Sequence, residues 1–325
     1  MLEQSADHSL DSRLLRDFQQ NFPICPAPFA ELAGRLGVTE NVVLRMLEQL
    51  RREGRISRVG AVFAPKRIGA STLAAMAVPP DKLDGVARAV NRFPEVNHNY
   101  EREHRYNLWF VVTAGSEGRL QAALGAIEQA AGYPVVALPM VRDFRAGAEG
   151  DDAQDNGGIG PAATRQTTML DEIGRRLVMA LQEGLPLFIR PFSILASRVG
   201  CDESELLERI RRWCAEGAIK RFGVVVRSQS PDEGVNAMLV QDVPDESVAG
   251  IGTTMAREPS VALCYERSRV LPDWPYNLYC IMRGPTRDEV QARIDEITRR
   301  LGLSGYTSEI LFSLTRFKRD GVRYA

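Results

Sequence analysis

The sequence predicts an α+β fold that occurs twice in one chain as a tandem duplication, and two observations support this prediction. The first is an internal repeat: Phe29-Ala30-Glu31-Leu32-Ala33 returns as Phe192-Ser193-Ile194-Leu195-Ala196, and Tyr100-Glu101-Arg102 returns as Tyr265-Glu266-Arg267. The second is a change of pattern within each copy, from apolar residues at helical spacing to shorter stretches that alternate between strand and helix. We therefore expect a tandem duplication in which each copy holds a helical module followed by an αβ module.

The helical module has the pattern of a winged helix-turn-helix. In the first copy, Leu32 and Leu36 lie at helical spacing before Gly37, and Thr39 is a suitable N-cap for a second helix. A short strand pair running through Phe63 would complete a wing within the copy. The second copy repeats this order, so two such modules are expected.

The αβ module has the order βαββαβ. Its expected elements in the first copy are a strand at 71–78, a helix at 81–91, a strand from residue 96, a strand at 108–113, a helix at 116–131 and a strand at 135–141. This order is typical of a ferredoxin-like sheet with both helices on one face. The other face would pack on the sheet of the second copy, residues 235–318, and make the chain an intramolecular pseudo-dimer.

These patterns divide the chain into five segments. A winged helix-turn-helix is expected at 1–64 and an αβ domain at 65–146, and the second copy repeats them at 167–228 and 229–325. Residues 147–166 are rich in glycine, alanine and aspartate, which predicts a flexible linker between the copies.

Composition limits the classes of function. Hydrophobic residues make up 44% and charged residues 26% of the 325 residues, which is typical of a globular protein. The formal net charge is −1, so the chain as a whole has no electrostatic attraction to nucleic acid or to an anionic membrane. No apolar run approaches the roughly 20 residues that span a bilayer. Five scattered cysteines without a C-x-x-C pair favour free thiols in a reducing cytoplasm. We expect a cytoplasmic protein without a metal site of its own.

One stretch concentrates chemically active side chains. On a strand, residues two apart share a face, so His98, Tyr100, Arg102 and His104 would all project from one side. Two imidazoles, a phenol and a guanidinium in a row indicate a binding or catalytic surface. The duplicated stretch keeps the tyrosine and the arginine but not the histidines.

The repeated motifs make the chain resemble a known family. The first copy reads HNYEREHRYNLWF from His98, and the second carries Tyr265-Glu266-Arg267 and then Trp274-Pro275-Tyr276-Asn277-Leu278. With the module order, these motifs resemble the Lrp/AsnC regulators and, within them, the siroheme decarboxylases, over essentially all of residues 10–320. The resemblance implies removal of the C12 and C18 acetate carboxyls of siroheme, which gives 12,18-didecarboxysiroheme for haem d1 or alternative haem biosynthesis. The fused two-copy form favours the haem d1 role.

The resemblance also implies a set of substrate contacts. Siroheme carries eight carboxylates on a broad macrocycle, so cations and aromatic side chains are expected around it. Arginine matches a carboxylate with two hydrogen bonds, which makes Arg102 and Arg267 the best expected anchors. The side chains expected to hold siroheme are Tyr100, Arg102, Asn107, Trp109, Tyr265, Arg267, Trp274, Tyr276, Asn277, Arg316 and Lys318.

The expected catalytic residues are His98 and His104. The macrocycle can absorb the electron pair left by CO2, so no cofactor is required beyond the iron of the substrate, and the new methyl group needs a proton that an imidazole can give near neutral pH. Leu263 matches His98 and Arg269 matches His104, which indicates that only the first copy is catalytic. An axial contact of either imidazole with the siroheme iron is the competing role.

Two other functions compete with the enzyme. A DNA-binding regulator needs basic or amide side chains on its reading helices, yet the second copy opens that helix with Cys201-Asp202-Glu203-Ser204-Glu205, so sequence-specific DNA binding is not expected. A haem sensor would share the site without catalysis. The expected partner is siroheme, together with other haem d1 biosynthesis proteins and a further copy of the chain; no membrane partner is expected.

Overall fold

The computed structural model describes residues 2–64, 68–144, 170–226 and 234–319, with side chains from residue 10 onward. The chain divides into two compact units, one formed by residues 1–68 and 166–229 and the other by residues 69–165 and 230–325. Each unit therefore combines one part of each copy. The linker predicted at 147–166 lies outside the described residues.

The elements follow the order of the predicted modules. In the first copy they are α1 (Leu2–Asp17), α2 (Pro28–Leu36), α3 (Glu40–Arg52), β1 (Ile56–Phe63), β2 (Ala70–Met76), α4 (Leu83–Asn91), β3 (Val96–Arg102), β4 (Leu108–Ala114), α5 (Glu117–Ala131) and β5 (Val136–Asp143). In the second copy they are α6 (Glu172–Glu183), α7 (Pro191–Val199), α8 (Glu203–Glu216), β6 (Ile219–Val226), β7 (Val235–Gln241), α9 (Asp245–Ala256), β8 (Val261–Arg267), β9 (Leu278–Gly284), α10 (Arg287–Arg300) and β10 (Ser308–Arg319). In the described residues, every helix is too short or too polar to cross a membrane.

The first unit holds both helix-turn-helix modules. The turn glycines Gly37 and Gly200 end α2 and α7 in the left-handed region, at φ of 73° and 88°, which glycine adopts without strain. The expected strand pair within each copy is wrong: β1 pairs instead with β6 of the other copy, with Gly60 opposite Gly223. A Cβ on Gly223 would lie 2.2 Å from the carbonyl oxygen of Phe18, because the chain after α1 runs against β6. A pairing of this kind joins distant segments and leaves no local signal.

The second unit contains both αβ modules, and the predicted βαββαβ order is confirmed in each. In the first copy, α4 and α5 pack on one face of the sheet, as expected, around a core that includes Val90, Phe110, Val112, Leu124 and Ile127. The second copy builds the equivalent core from α9, α10 and its own strands.

The two sheets close into one barrel, with strand order β10-β3-β4-β2-β5-β8-β9-β7. Closure depends on the last strand of each copy, which changes partner along its length. In β10, residues 308–312 pair with β7 and residues 313–319 pair with β3 of the first copy. In β5, the change from β2 to β8 follows Pro139, which has no N–H to donate. The sheets therefore pack face to face, as predicted, and are also joined along two strand seams.

The space between the sheets is filled by a mixed aromatic and aliphatic core. Trp109 of the first copy lies against Trp274 of the second, with ring centroids 5.2 Å apart, and both are about 1% exposed. Tyr265, Tyr276 and Tyr279 share this core. The sheet faces that carry the motif residues thus belong to one interior that both copies line.

Candidate active site

The first seam joins β3 to β10 and carries three of the six predicted first-copy residues, namely His98, Tyr100 and Arg102. Tyr100 lies opposite Arg316, and His98 lies opposite Arg319. Paired residues of antiparallel strands share a face, so two arginines flank the imidazole and the phenol. His98 is 6% exposed, and its ring stacks on Tyr100 at 6.4 Å. We call His98, Tyr100, Arg316 and Arg319 the basic seam.

The second seam joins β5 to β8 and differs in charge. Asp143 lies opposite Tyr265 in the second seam. The first seam has Arg316 at the same register position, opposite Tyr100. Asp143 is buried, whereas Arg316 is exposed. The two seams therefore share a backbone arrangement and a tyrosine but present opposite charges.

Arg102 and Arg267 are matched parts of the architecture. Nη1 of Arg102 donates to the carbonyl oxygen of Leu311 at 3.0 Å, and Nη1 of Arg267 donates to that of Leu138 at 2.8 Å. Each guanidinium thus ties its own copy to the last strand of the other. Burial lowers the pKa of Arg102 to about 10, and burial also lowers the pKa of Arg267, against the opposing effects of Tyr279, Tyr265 and Asp143.

His104 lies in the turn after β3 and forms a separate cluster. The prediction that it shares the strand face is wrong, because β3 ends at Arg102 and the chain then bends. Nδ1 of His104 accepts from the backbone N–H of Tyr106 at 2.9 Å, and Nε2 lies 2.5 Å from Oε2 of Glu309. The Tyr276 hydroxyl donates to the other oxygen of Glu309 at 2.9 Å. We call His104, Glu309 and Tyr276 the His104 cluster.

The contacts of His104 fix its state. An Nδ1 that accepts a backbone N–H carries no proton, so the imidazole is the neutral Nε2–H tautomer that donates to Glu309. Burial lowers the pKa of His104, and the Glu309 carboxylate opposes that shift only in part. Burial and Glu309 raise the pKa of Tyr276 to about 12, which keeps its hydroxyl protonated.

Trp274 connects the cluster to the barrel interior. Its ring meets His104 edge-on at 5.4 Å and Tyr276 at 4.9 Å, and its Nε1–H donates to the Tyr279 hydroxyl at 2.6 Å. Trp109 bridges to the basic seam, because it lies opposite Tyr100 in the β3–β4 pair. The structure thus joins the predicted aromatic residues into one continuous wall.

Three predicted substrate ligands are engaged within the protein. The Asn107 amide exchanges two hydrogen bonds with the backbone of Val78, at 3.0 and 2.8 Å, and the Asn277 amide does the same with Val243. Nζ of Lys318 donates to the backbone oxygens of Asn91 and Phe93, where α4 ends. These contacts give the three side chains a structural role, and their binding of siroheme stays a prediction.

Arg269 shows what replaces His104 in the second copy. Its guanidinium binds the carboxylates of Asp242 and Asp245 and the backbone oxygens of Val243 and Pro275. This position is filled by an ion-pair network and holds no imidazole. The asymmetry predicted from the repeat is therefore present in the contacts.

Sequence reasoning missed Glu309, Arg319 and Asp143. Glu309 opposes Val240, whereas its first-copy counterpart Val136 opposes Ala75, so a carboxylate stands where the repeat has an apolar residue. That difference was readable once the last strands were aligned. The opposition of Arg319 to His98 was not readable, because it depends on a register between strands far apart in sequence.

Comparison with known proteins identifies the family. A profile described as "AsnC-like ligand binding domain" matches residues 67–145 and 234–318, and one described as "Siroheme decarboxylase NirDL-like HTH domain" matches residues 11–56 and 174–219. The siroheme decarboxylase NirDL subunit of Paracoccus denitrificans is 38% identical over 324 residues, which covers 97% of each chain. The chain belongs to the siroheme decarboxylase family.

Two further siroheme decarboxylases bear on the architecture. A crystal structure described as the siroheme decarboxylase NirDL in co-complex with an iron-uroporphyrin III analogue superposes with a TM-score of 0.79 at 28% identity, covering 97% of this chain and 94% of that one. The NirD subunit of Stutzerimonas stutzeri is 48% identical over 137 residues, which are 42% of this chain and 90% of that protein. This family thus contains relatives of the whole chain and of one copy.

Three of the arginines on the helices that would read DNA are paired with carboxylates. In α3, Arg51 and Arg52 both pair with Glu48, at 2.6 and 3.3 Å. In α8, Arg209 pairs with Asp171 at 2.6 Å and with Glu205 at 3.2 Å. Such pairs partly neutralise the charges that would meet phosphates.

Proposed function

We propose that the chain binds siroheme and removes its C12 and C18 acetate carboxyls to give 12,18-didecarboxysiroheme, for haem d1 or alternative haem biosynthesis. Family membership supports the reaction class, and the iron-uroporphyrin III analogue bound by the relative supports a large carboxylated macrocycle as ligand. The observation that carries the proposal in this chain is the basic seam, where cations, an imidazole and a phenol share one face.

The basic seam suits an anionic macrocycle. Arg316 and Arg319 stand beside Tyr100 and His98, and the buried charge of Arg102 lies on the same strand. Arginine binds carboxylates with paired, charge-assisted hydrogen bonds, which hold the peripheral carboxylates in place. Tyr100, the partly exposed end of the aromatic wall that contains Trp109, offers an apolar surface to the ring or its edge. Clamping the other carboxylates uses remote binding energy to place the reacting acetate.

The reaction needs one proton for each carboxyl removed. The bond between the acetate methylene and its carboxylate breaks, CO2 leaves, and the electron pair stays on the methylene carbon, from which it spreads into the macrocycle. A proton from an imidazolium then completes the methyl group, and water returns a proton to the imidazole before the second round. No cofactor beyond the iron of the substrate takes part.

The two histidines receive different roles. His104 is held neutral, with one nitrogen on the Tyr106 N–H and the other on Glu309, so it serves as a positioning residue at the site wall. His98 faces the basic seam and is the proposed proton donor, with axial contact to the siroheme iron as its competing role. The described residues hold no group of three or more histidine, cysteine, aspartate or glutamate side chains placed to bind a metal ion.

The cellular setting follows from the proposed pathway. We place the chain in the cytoplasm, with siroheme as substrate, other haem d1 biosynthesis proteins as partners and a second copy as a further partner. A transcriptional regulator or a non-catalytic haem sensor remains the competing function, and the charge pairs on α3 and α8 favour the enzyme over the regulator.

The decisive experiment is anaerobic incubation of the purified chain with siroheme, followed by mass analysis of the tetrapyrrole. Loss of two carboxyl groups is expected, and unchanged siroheme together with tight operator binding would favour the regulator. His98→Gln should lower turnover at least about 100-fold, as expected when a general acid is removed. Full turnover by His98→Gln would exclude its role as proton donor.

The seam residues have a matched control. Arg319→Gln should raise KM for siroheme, whereas Arg142→Gln, on the second seam and paired with Glu266 at 3.6 Å, should leave it unchanged. Equal effects of both variants would remove the basic seam from the site.

A further inference from the structure

We infer that Asp143 closes the second seam to anionic ligands, so that each chain binds one siroheme, at the basic seam alone. This inference rests on the proposed function for the identity of the ligand, and it assigns a specificity role to a residue outside the proposed catalytic groups. The duplication offers two equivalent places for a macrocycle, and one buried carboxylate decides between them.

The two seams can be compared position by position. Each has a tyrosine, Tyr100 or Tyr265, and two residues further along an arginine that reaches the last strand of the other copy. The difference lies opposite the tyrosine, where one seam has Arg316 and the other has Asp143. Exchanging a guanidinium for a carboxylate at one register position reverses the local charge.

The charge near the buried arginines differs as well. Asp143 lies close enough to Arg267 to raise its pKa against the effect of burial. Across the described ranges, from residue 10 to 319 with their gaps, no carboxylate has such an effect on the pKa of Arg102. A buried cation without a counter-charge is costly, and a carboxylate of the ligand would supply one. The second seam already contains its own carboxylate.

A bound macrocycle at the second seam would also be inert. Leu263 stands there in place of His98, opposite Ile281 as His98 is opposite Val111. No imidazole of the described second copy faces that seam, since residues 170–226 and 234–319 contain no histidine. If the second seam excludes the macrocycle, the chain does not hold siroheme at a place where it cannot be converted.

The test is the number of macrocycles that one chain binds, measured by absorbance titration of the whole protein with iron-uroporphyrin III. We expect one equivalent for the wild type, none for Arg316→Asp, and a second binding step for Asp143→Arg. Asp143→Asn changes the side-chain volume very little, so it replaces Asp143→Arg in the test if that variant does not fold. It should show a second binding step of lower affinity. Thermal unfolding of each variant identifies those that fold.

The double exchange Arg316→Asp with Asp143→Arg separates binding from turnover. We expect this chain to bind one equivalent at the second seam and to leave siroheme unconverted, since Leu263 cannot supply a proton. Two equivalents on the wild type, or one on folded Arg316→Asp, would overturn the inference, as would a single step on the folded Asp143 variants. A chain that binds with the expected numbers but never decarboxylates siroheme would refute the proposed function and leave this inference intact.

Discussion

Replacing Arg102 by methionine tests whether a ligand-binding cation lowers the stability of the empty protein. Methionine keeps the unbranched apolar stem and removes the charge and the hydrogen bond to the carbonyl of Leu311. The lost hydrogen bond, made by a charged donor, is worth about 2 kcal/mol. The pKa of Arg102 falls from 12.5 to about 10, so burying its charge costs about 3 kcal/mol in the folded state. The two terms nearly cancel, and we expect Arg102→Met to unfold within about 1 kcal/mol of the wild type.

The matched variant Arg267→Met should behave differently. It removes the same kind of hydrogen bond, to Leu138, and also leaves the buried Asp143 carboxylate without the nearby cation. Asp143 acts on Arg267 from beyond ion-pair distance, so removing the cation should cost about 1–3 kcal/mol, less than breaking a direct buried ion pair. For a domain of this size, that loss lowers Tm by roughly 2–12 °C.

The assay is thermal unfolding followed by circular dichroism, with and without iron-uroporphyrin III. The macrocycle should stabilise the wild type and stabilise Arg102→Met much less, because the variant lacks an anchoring cation. Equal destabilisation by Arg102→Met and Arg267→Met would refute the charge argument. An unchanged ligand-induced rise in Tm for Arg102→Met would remove it from the binding site.

Two further predictions concern packing and pH. Gly252→Ala should destabilise the second unit by about 1–3 kcal/mol, because the new Cβ would lie 2.2 Å from the ring of Phe144. Gly250→Ala, on the same helix, places its Cβ where nothing lies within 4 Å and should stabilise the unit by up to about 1 kcal/mol. Denaturant unfolding measures the free energy of unfolding of both variants, and equal effects would contradict the packing. Because His104 is neutral when folded and its pKa is lowered, its contribution to stability is present above the ordinary histidine value near 6.5 and is lost as the pH falls below it. The free energy of unfolding of His104→Gln should therefore fall less than that of the wild type between pH 7 and pH 5. If the free energies of unfolding of the two proteins change in parallel with pH, His104 is not held neutral.

Local patterns were sufficient to predict most of the fold. Apolar spacing predicted α2 and α3, and alternation predicted the βαββαβ order, because these signals act over a few residues. The pairing of β1 with β6 and the closure of the barrel by β5 and β10 depend on contacts between copies, which no local pattern encodes. The repeat predicted that two sheets meet but not that their edges join.

The repeat also contained a lesson about the site. Tyrosine, arginine and asparagine kept in both copies are predicted to hold the substrate, and four of them also have structural contacts. Asn107 and Asn277 bond to the backbone of their own copies, and Arg102 and Arg267 join the copies. The residues that both copies share therefore also support the architecture. The features found in one copy alone, His98 above all, distinguish the proposed site from its repeat.

The exchange of last strands determines which halves can make a working pair. The proposed site combines β3 of the first copy with β10 of the second, which supplies Arg316 and Glu309. Two first copies paired in the same way would place Asp143 opposite Tyr100 and Val136 where Glu309 stands. Two second copies would have no imidazole. Joining unlike halves in one chain therefore fixes their ratio at one to one and makes every pairing within a chain the productive one, at any protein concentration.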